Sequence, residues 1–293
     1  MDIIGKRKIF FVVSGIIILV GLLSLAIQGL NLGIDFQGGA LLEFSFEEQV
    51  AIPEIQELLE DYGLEGAIVQ ESREPGVEGI LIRTADLDVE HELTAELQQD
   101  ILDRYSGSKL LRSAMVGPTI GEELRRRAIY ALLIASIAII IYISFRFQFR
   151  FAVAALIALI HDVLIVVGFF SLLRLDIDTA FVAGLLTIMG YSINDSIVIF
   201  DRIRENMKYA KKESFIQLSN RAVVETLPRS INTSVTTLLA VIAVLVFGGP
   251  SIQLFMLTLL IGILAGAYSS IFVASPILVE WSLLQDKKRF AEG

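Results

Sequence analysis

Apolar runs separated by short polar breaks dominate the chain. They lie at about Ile9–Ile27, Ala128–Phe145, Phe151–Leu173, Thr179–Phe200, Ser230–Phe247 and Ile252–Leu283. Each is near or above the ~20 residues that a bilayer core requires, so the pattern predicts six membrane spans. The last run is long enough to tilt or to continue past the membrane. Between the first two runs the periodicity changes. Leu42, Phe44 and Phe46 alternate with Glu43 and Ser45, which predicts a half-buried strand. Pro53 opens a short helix that Gly63 closes, with Ile55, Leu58 and Leu59 on one face. Ala67–Glu71 and Ile80–Arg83 read as strands around a turn at Pro75 and Gly76. Leu93, Leu97 and Ile101, spaced by four, predict a second helix over Val89–Tyr105, and Lys109–Val116 reads as the last strand. The order β-α-β-β-α-β is the split βαβ, ferredoxin-like arrangement.

The expected fold is therefore a polytopic α-helical membrane protein of six transmembrane helices. One extracytoplasmic α+β ferredoxin-like domain sits between the first and second spans. The expected divisions are a first span with its N-terminus at 1–28, the inserted domain at 29–127 and a five-helix bundle at 128–293. The first run could pass for a signal peptide, but it is longer than a typical signal core and no small-x-small cleavage site follows. It reads as a retained span.

Composition agrees. Of 293 residues 54 % are hydrophobic and 19 % charged, and the mean hydropathy is +0.68. The net charge of −9 is unevenly placed, since residues 29–127 hold 21 Asp and Glu against 8 Lys and Arg. This acidity argues against nucleic acid as a partner, because phosphate binding needs clustered positive charge. Without cysteine it has no disulfides and no thiolate metal site, and His91 and His161 alone are too few for a multi-histidine cage. No cofactor or metal is expected. With both termini inside, 15 of the 24 Lys and Arg fall on the inner side, including Lys6, Arg7, Lys8, Arg202 and Arg204. The two short outer loops hold only Arg174. Cytoplasmic termini are the orientation this bias favours. Arg125, Arg126 and Arg127 run against it, but they end a long translocated segment, where the rule weakens.

Candidate chemistry lies in the stretch Gly184 to Asn206. Asp195 sits in an apolar run, about 9 Å inside the turn marked by Asp201 and Arg202. A carboxylate there costs on the order of 2.5–3.5 kcal/mol, so it normally faces a partner helix or a wet cavity and marks a proton or ion site. Its plainer role would be a hydrogen-bond post between helices. Thr187, Tyr191, Asn194 and Val198 share a helix face with Asp195 beside it. Gly184, Gly190, Ser192 and Ser196 are small enough for close helix approach, which predicts an interior helix. Arg229 opens the fifth span, and antiparallel packing would bring it to the depth of Asp195 to Asp201. It is either a titration partner for Asp195 or an interfacial anchor. Burial and a nearby arginine act on a carboxylate in opposite senses. His161 and Asp162 interrupt the third span, where they could relay protons or fix a helix contact.

Two glycine-bearing connections flank the inserted domain. Gly33, Asp35, Gly38 and Gly39 lie on the way in, and Gly117 and Pro118 on the way out. They read as tight turns, since no lysine or helix start gives Gly38-Gly39 the spacing of a phosphate loop.

Together LGIDFQGG at 32–39, VGPTIG at 116–121, GYSINDSIVIFDRIREN at 190–206, RSINTS at 229–234 and FGGP at 247–250 carry a resemblance. The chain resembles SecF, the smaller side of the SecD/SecF family of protein-export membrane proteins, over essentially its whole length. The resemblance implies half of an RND-like unit of twelve spans, completed by SecD. It implies association with the SecYEG channel, often with YajC. It also implies use of the proton motive force to draw an unfolded exported protein outward after the ATPase SecA has pushed it in. The family's intramembrane Asp and Arg correspond to Asp195 and Arg229, with Tyr191, Asn194 and Asp201 beside them. No enzymatic activity is implied.

Other readings of the same residues are a proton-coupled half-transporter of small molecules or lipids, an intramembrane aspartyl protease using Asp162 and Asp195, and a passive scaffold for a channel. The protease would need both carboxylates within a few ångströms, sharing a proton.

Overall fold

A computed structural model describes residues 1–48, 50–71, 79–84, 92–209 and 213–291. The turn at Pro75 and Gly76, the start of the second domain helix at Val89, and His91 lie outside the described residues. The chain divides into two compact units. One comprises residues 1–31 with 130–293, the other residues 32–129.

In chain order, helix α1 (Arg7–Gln28) precedes the smaller unit. There a short helix α2 (Ile34–Gln37) leads into strand β1 (Gly39–Ser45), helix α3 (Ile52–Asp61) and strands β2 (Ile68–Glu71) and β3 (Gly79–Thr84). Helix α4 (Glu92–Arg104) and strand β4 (Lys109–Val116) follow. The sheet runs β2-β3-β1-β4, every neighbouring pair antiparallel, with Ala40 opposite Thr84 and Met115. This is the ferredoxin-like order that the alternation of elements predicts. Phe44, Ile55, Leu58, Leu59, Leu97 and Ile101 form its core.

One detail differs. Glu43 was expected on a solvent face, yet it is 7 % exposed. β1 is a central strand, with Leu81 and Arg112 opposite Glu43 on its two sides, so even its polar position is covered. The connection at Gly33 to Gly39 is a turn of helix rather than a bare loop. Gly33 precedes it, Asp35 lies in its first turn and Ile34 and Phe36 are buried. Gly38 and Gly39 take φ of 80° and 118°, which only glycine adopts freely. A Cβ on Gly38 would stand 2.8 Å from Pro118 Cα, and one on Gly121 2.9 Å from the Gly38 nitrogen. The entry and return connections thus pack backbone to backbone. Gly117 precedes Pro118, which starts the next helix.

That helix is α5 (Pro118–Arg146), followed by α6 (Phe149–Leu172), α7 (Thr179–Tyr209) and α8 (Phe215–Phe247). The last span comprises α9 (Pro250–Ser269), a π-helical turn over Ser270–Ala274 and α10 (Ser275–Ala291). Among the described residues six helical segments are long and apolar enough to cross a membrane, matching the expected runs. The expected start of the fifth span at Ser230 needs correction. α8 begins at Phe215, where Ser214 and Gln217 form a capping box, and it continues through Pro228. Arg229 therefore sits within a helix, not at its start.

About half of α6, α7 and the last span is buried inside the bundle, against 17 % for α1, 6 % for α5 and 17 % for α8. α6, α7 and α9 form the centre, as the small residues of the fourth span predict. A Cβ on Gly184 would lie 2.7 Å from Thr258 Cγ2, and one on Gly266 2.9 Å from Ser192 Cβ. α1 meets α6 at Gly21 and Gly168, where an added Cβ on either would approach the other's Cα to 2.9 or 2.8 Å.

Candidate functional site

The Asp195 carboxylate is 4 % exposed and lies where α7 faces α8. Ser234 and Arg229 of α8 are the polar group and the charge that bear on it. Neither contact closes: Asp195 Oδ2 and Ser234 Oγ are both buried without a hydrogen-bond partner among the described residues, as is Ser230 Oγ one turn away. Asp195 and Arg229 form no ion pair within 4.0 Å. Buried polar atoms left unpaired are rare in folded proteins and point to function or strain.

Arg229 lines a cavity of about 580 Å³ with Asn194, Asp201, Arg202, Glu225 and Thr226. Glu225 is engaged by Arg202 at 2.7 Å and by Asn206 at 3.2 Å, and Arg202 also holds Glu205. Arg229 is thereby left as the unpaired cation of this cavity among the described residues. Asp201 turns to Arg146, 3.4 Å away. Tyr191 donates to Thr237 Oγ1 at 3.4 Å, a second tie from α7 to α8. The expected site residues thus gather at one α7–α8 face, with Asp195 buried beside the cavity and Asn194, Asp201 and Arg229 on its walls. Thr187, Gly190 and Asn194 on α7, and Arg229, Asn232 and Thr236 on α8, are exposed in this chain. A surface this polar is ill suited to lipid.

Asp162 is wholly different. It is fully buried and accepts from Ser192 Oγ at 2.5 Å and Ser269 Oγ at 2.8 Å, while its other oxygen faces His161 Nδ1 at 2.9 Å. His161 Nε2 reaches Ser14 Oγ at 3.1 Å. Ser14 in turn donates to Tyr268, which donates to the Phe10 carbonyl. Four elements, α1, α6, α7 and α9, are tied at this point. Next to it, Ser270 donates to the Ser192 carbonyl at 3.3 Å and meets Ser196 Oγ at 3.1 Å. The π-helical turn begins at Ser270, a feature that recurs at functional sites.

The two intramembrane carboxylates are not brought together. Asp162 spends its oxygens on α6, α7 and α9, whereas Asp195 turns to α8, so no shared-proton dyad forms. Sequence reasoning missed Ser14, Ser192, Ser234, Ser269 and Tyr268 as polar partners. Isolated serines in apolar runs carry no signal of what they face. Among the described residues no cluster of three or more His, Asp or Glu could hold a metal.

The family model for the C-terminal part of the protein export membrane proteins SecD/SecF matches residues 98–284, and that for the SecD/SecF GG motif matches residues 23–50. Protein translocase subunit SecF of Thermobaculum terrenum is 40 % identical, over 96 % of this chain and 94 % of that one. Protein translocase subunit SecDF of Bacillus subtilis is 39 % identical over 99 % of this chain but only 39 % of its own length. The crystal structure of SecDF from Thermus thermophilus, described as a translocon-associated membrane protein, superposes with a TM-score of 0.89 at 37 % identity. That match covers 96 % of this chain and 38 % of the other. The chain thus spans the length of separate SecF subunits and about two fifths of the SecDF chains. It is a multi-pass membrane protein and belongs to the SecD/SecF family of protein export membrane proteins.

Proposed function

We propose that this chain is one half of a proton-driven export motor, in which Asp195 takes up and releases the proton. One observation carries the reading: a buried carboxylate with an unpaired oxygen stands beside a cavity lined by an arginine that has no ion-pair partner among the described residues. Protonation would cancel the attraction between Asp195 and Arg229 and let α7 and α8 repack. A proton crossing 100 mV releases about 2.3 kcal/mol from the electrical term, enough to bias a two-state motion by tens of fold.

The exposed polar face of α7 and α8 supports a second six-span half, SecD, as the partner that covers it. The relatives in which both names belong to one chain support the same pairing. In this reading both termini are cytoplasmic, residues 29–127 are extracytoplasmic, and the complex serves the SecYEG channel with YajC and SecA. Because the named relatives are translocase subunits, export of small molecules is not favoured.

The test is export of a secretory protein into vesicles holding SecYEG, SecA, SecD and this chain, with and without an imposed pH gradient. Asp195→Asn removes the gradient's effect while the complex still assembles. Undiminished gradient-driven export in that variant would end the proposal.

A further inference from the structure

At the end of the bundle that holds the Arg7–Glu280 ion pair and the Arg150–Ser282 contact, a cavity of about 410 Å³ opens between the α5–α6 turn and the last turns of α7. Three cations line it: Arg146, Arg204 and Lys208. Arg146 is held in place over the Phe147 ring, 5.3 Å from its centroid, with Asp201 as a 3.4 Å ion-pair partner. Arg204 donates to the Arg146 carbonyl at 3.3 Å. Among the described residues neither Arg204 nor Lys208 has an ion-pair partner, so one carboxylate faces three cations. Gln148 is the other polar residue of the lining, and the remaining walls are the apolar side chains of Phe145, Phe147, Phe151 and Met207. Phe145 is 90 % exposed at the end of its membrane helix, while Phe151 is buried at the cavity wall.

We infer that this cavity binds the headgroup of an anionic phospholipid, its phosphodiester between Arg204 and Lys208 and its acyl chains along Phe145. Two features select this occupant. Basic pockets between spans at a membrane surface hold anionic headgroups by charge, and the uncompensated cations here supply it. An inorganic anion would have no use for the exposed aromatic wall, whereas a lipid buries it. The inference rests on the chain's being a multi-pass membrane protein and is independent of the proton reading.

Native mass spectrometry of the purified, delipidated chain tests it, by titration with phosphatidylglycerol, with phosphatidylcholine and with inorganic phosphate. Phosphatidylglycerol should bind at least tenfold more tightly than phosphatidylcholine. The double variant R204Q/K208Q should weaken it roughly 30-fold, as expected for two surface cations. R125Q/R126Q, which removes two cations elsewhere, should leave it unchanged. Should the double variant fail to fold, exposed Lys208→Gln alone should still cost about fivefold. Equal affinity for the two lipids, or unaltered phosphatidylglycerol binding in R204Q/K208Q, overturns the inference. Displacement of the lipid by inorganic phosphate at similar concentration does so too, because it makes this a free-anion site.

Discussion

Ser192 donates its hydroxyl to Asp162 across 2.5 Å, tying α7 to α6 one helical turn from Asp195. The same carboxylate oxygen accepts from Ser269 of α9, so one buried acid fixes the three central helices. Asp162 is therefore a packing device, while Asp195, with an unpaired oxygen, is the group with freedom to change. Asp162→Ala removes the buried carboxylate that His161, Ser192 and Ser269 all contact. Each membrane hydrogen bond so lost costs about 0.6–1.7 kcal/mol, and the three together should lower thermal stability in detergent sharply. Asp195→Asn, which breaks no hydrogen bond seen here, should unfold like the parent chain. Equal destabilisation by the two variants would remove the distinction.

The spans, the ferredoxin-like order and the α7–α8 face were legible because each is written in periodicity or in a costly residue. Apolar runs mark the helices, alternation marks the strands, and a carboxylate in hydrocarbon marks itself. The lower half of α8 was not legible from hydropathy, since Phe215 to Leu227 is amphipathic and Pro228 suggests a break. A signal did exist in Ser214 and Gln217, whose spacing is that of a capping box. The serines around Asp162 were hidden for a different reason. A serine in a membrane helix can bond its own backbone, as Ser136 does to Leu132, so only tertiary packing shows which ones reach across.

The contact between α1 and α6 depends on Gly21 and Gly168 standing backbone to backbone. Gly21→Ala places a methyl 2.9 Å from Gly168 Cα, which the helices relieve only by separating. Overpacking of this kind costs about 1–3 kcal/mol. Gly15 on the same helix has nothing within 4 Å of an added Cβ, so Gly15→Ala is the matched control. Thermal unfolding in detergent should show a lower midpoint for the first variant and none for the second.

In the smaller unit, Tyr62 donates to Asp100 Oδ2 at 3.2 Å, joining α3's end to α4. Desolvation, and then the Asp100 carboxylate, raise the Tyr62 phenol above its usual value of 10.0. The folded state thus holds this proton more tightly than the unfolded chain. Its contribution to stability is complete below about pH 10 and is lost as pH rises through the folded value. Tyrosinate absorbance of the whole chain, compared with Tyr62→Phe, should show that the missing residue titrates later than an exposed tyrosine. A Tyr62 transition at or below pH 10 would contradict the bond.

Arg229 is the unpaired cation of its cavity because Arg202 and Asn206 already occupy Glu225. Among the described residues no carboxylate within ion-pair distance ties it down, so in the proposed cycle its charge is available to Asp195. If the proposed cycle is right, Arg229→Gln removes the cation on which it depends. Gradient-dependent export should fall to the level seen without a gradient. Arg229→Lys restores the charge as a compact ammonium that cannot offer the guanidinium's fork, and it should recover only part of the effect. Both variants should assemble like the parent, since Arg229 makes no ion pair whose loss would loosen α8. Gradient-driven export by Arg229→Gln equal to the parent's would show that Asp195 works without this cation.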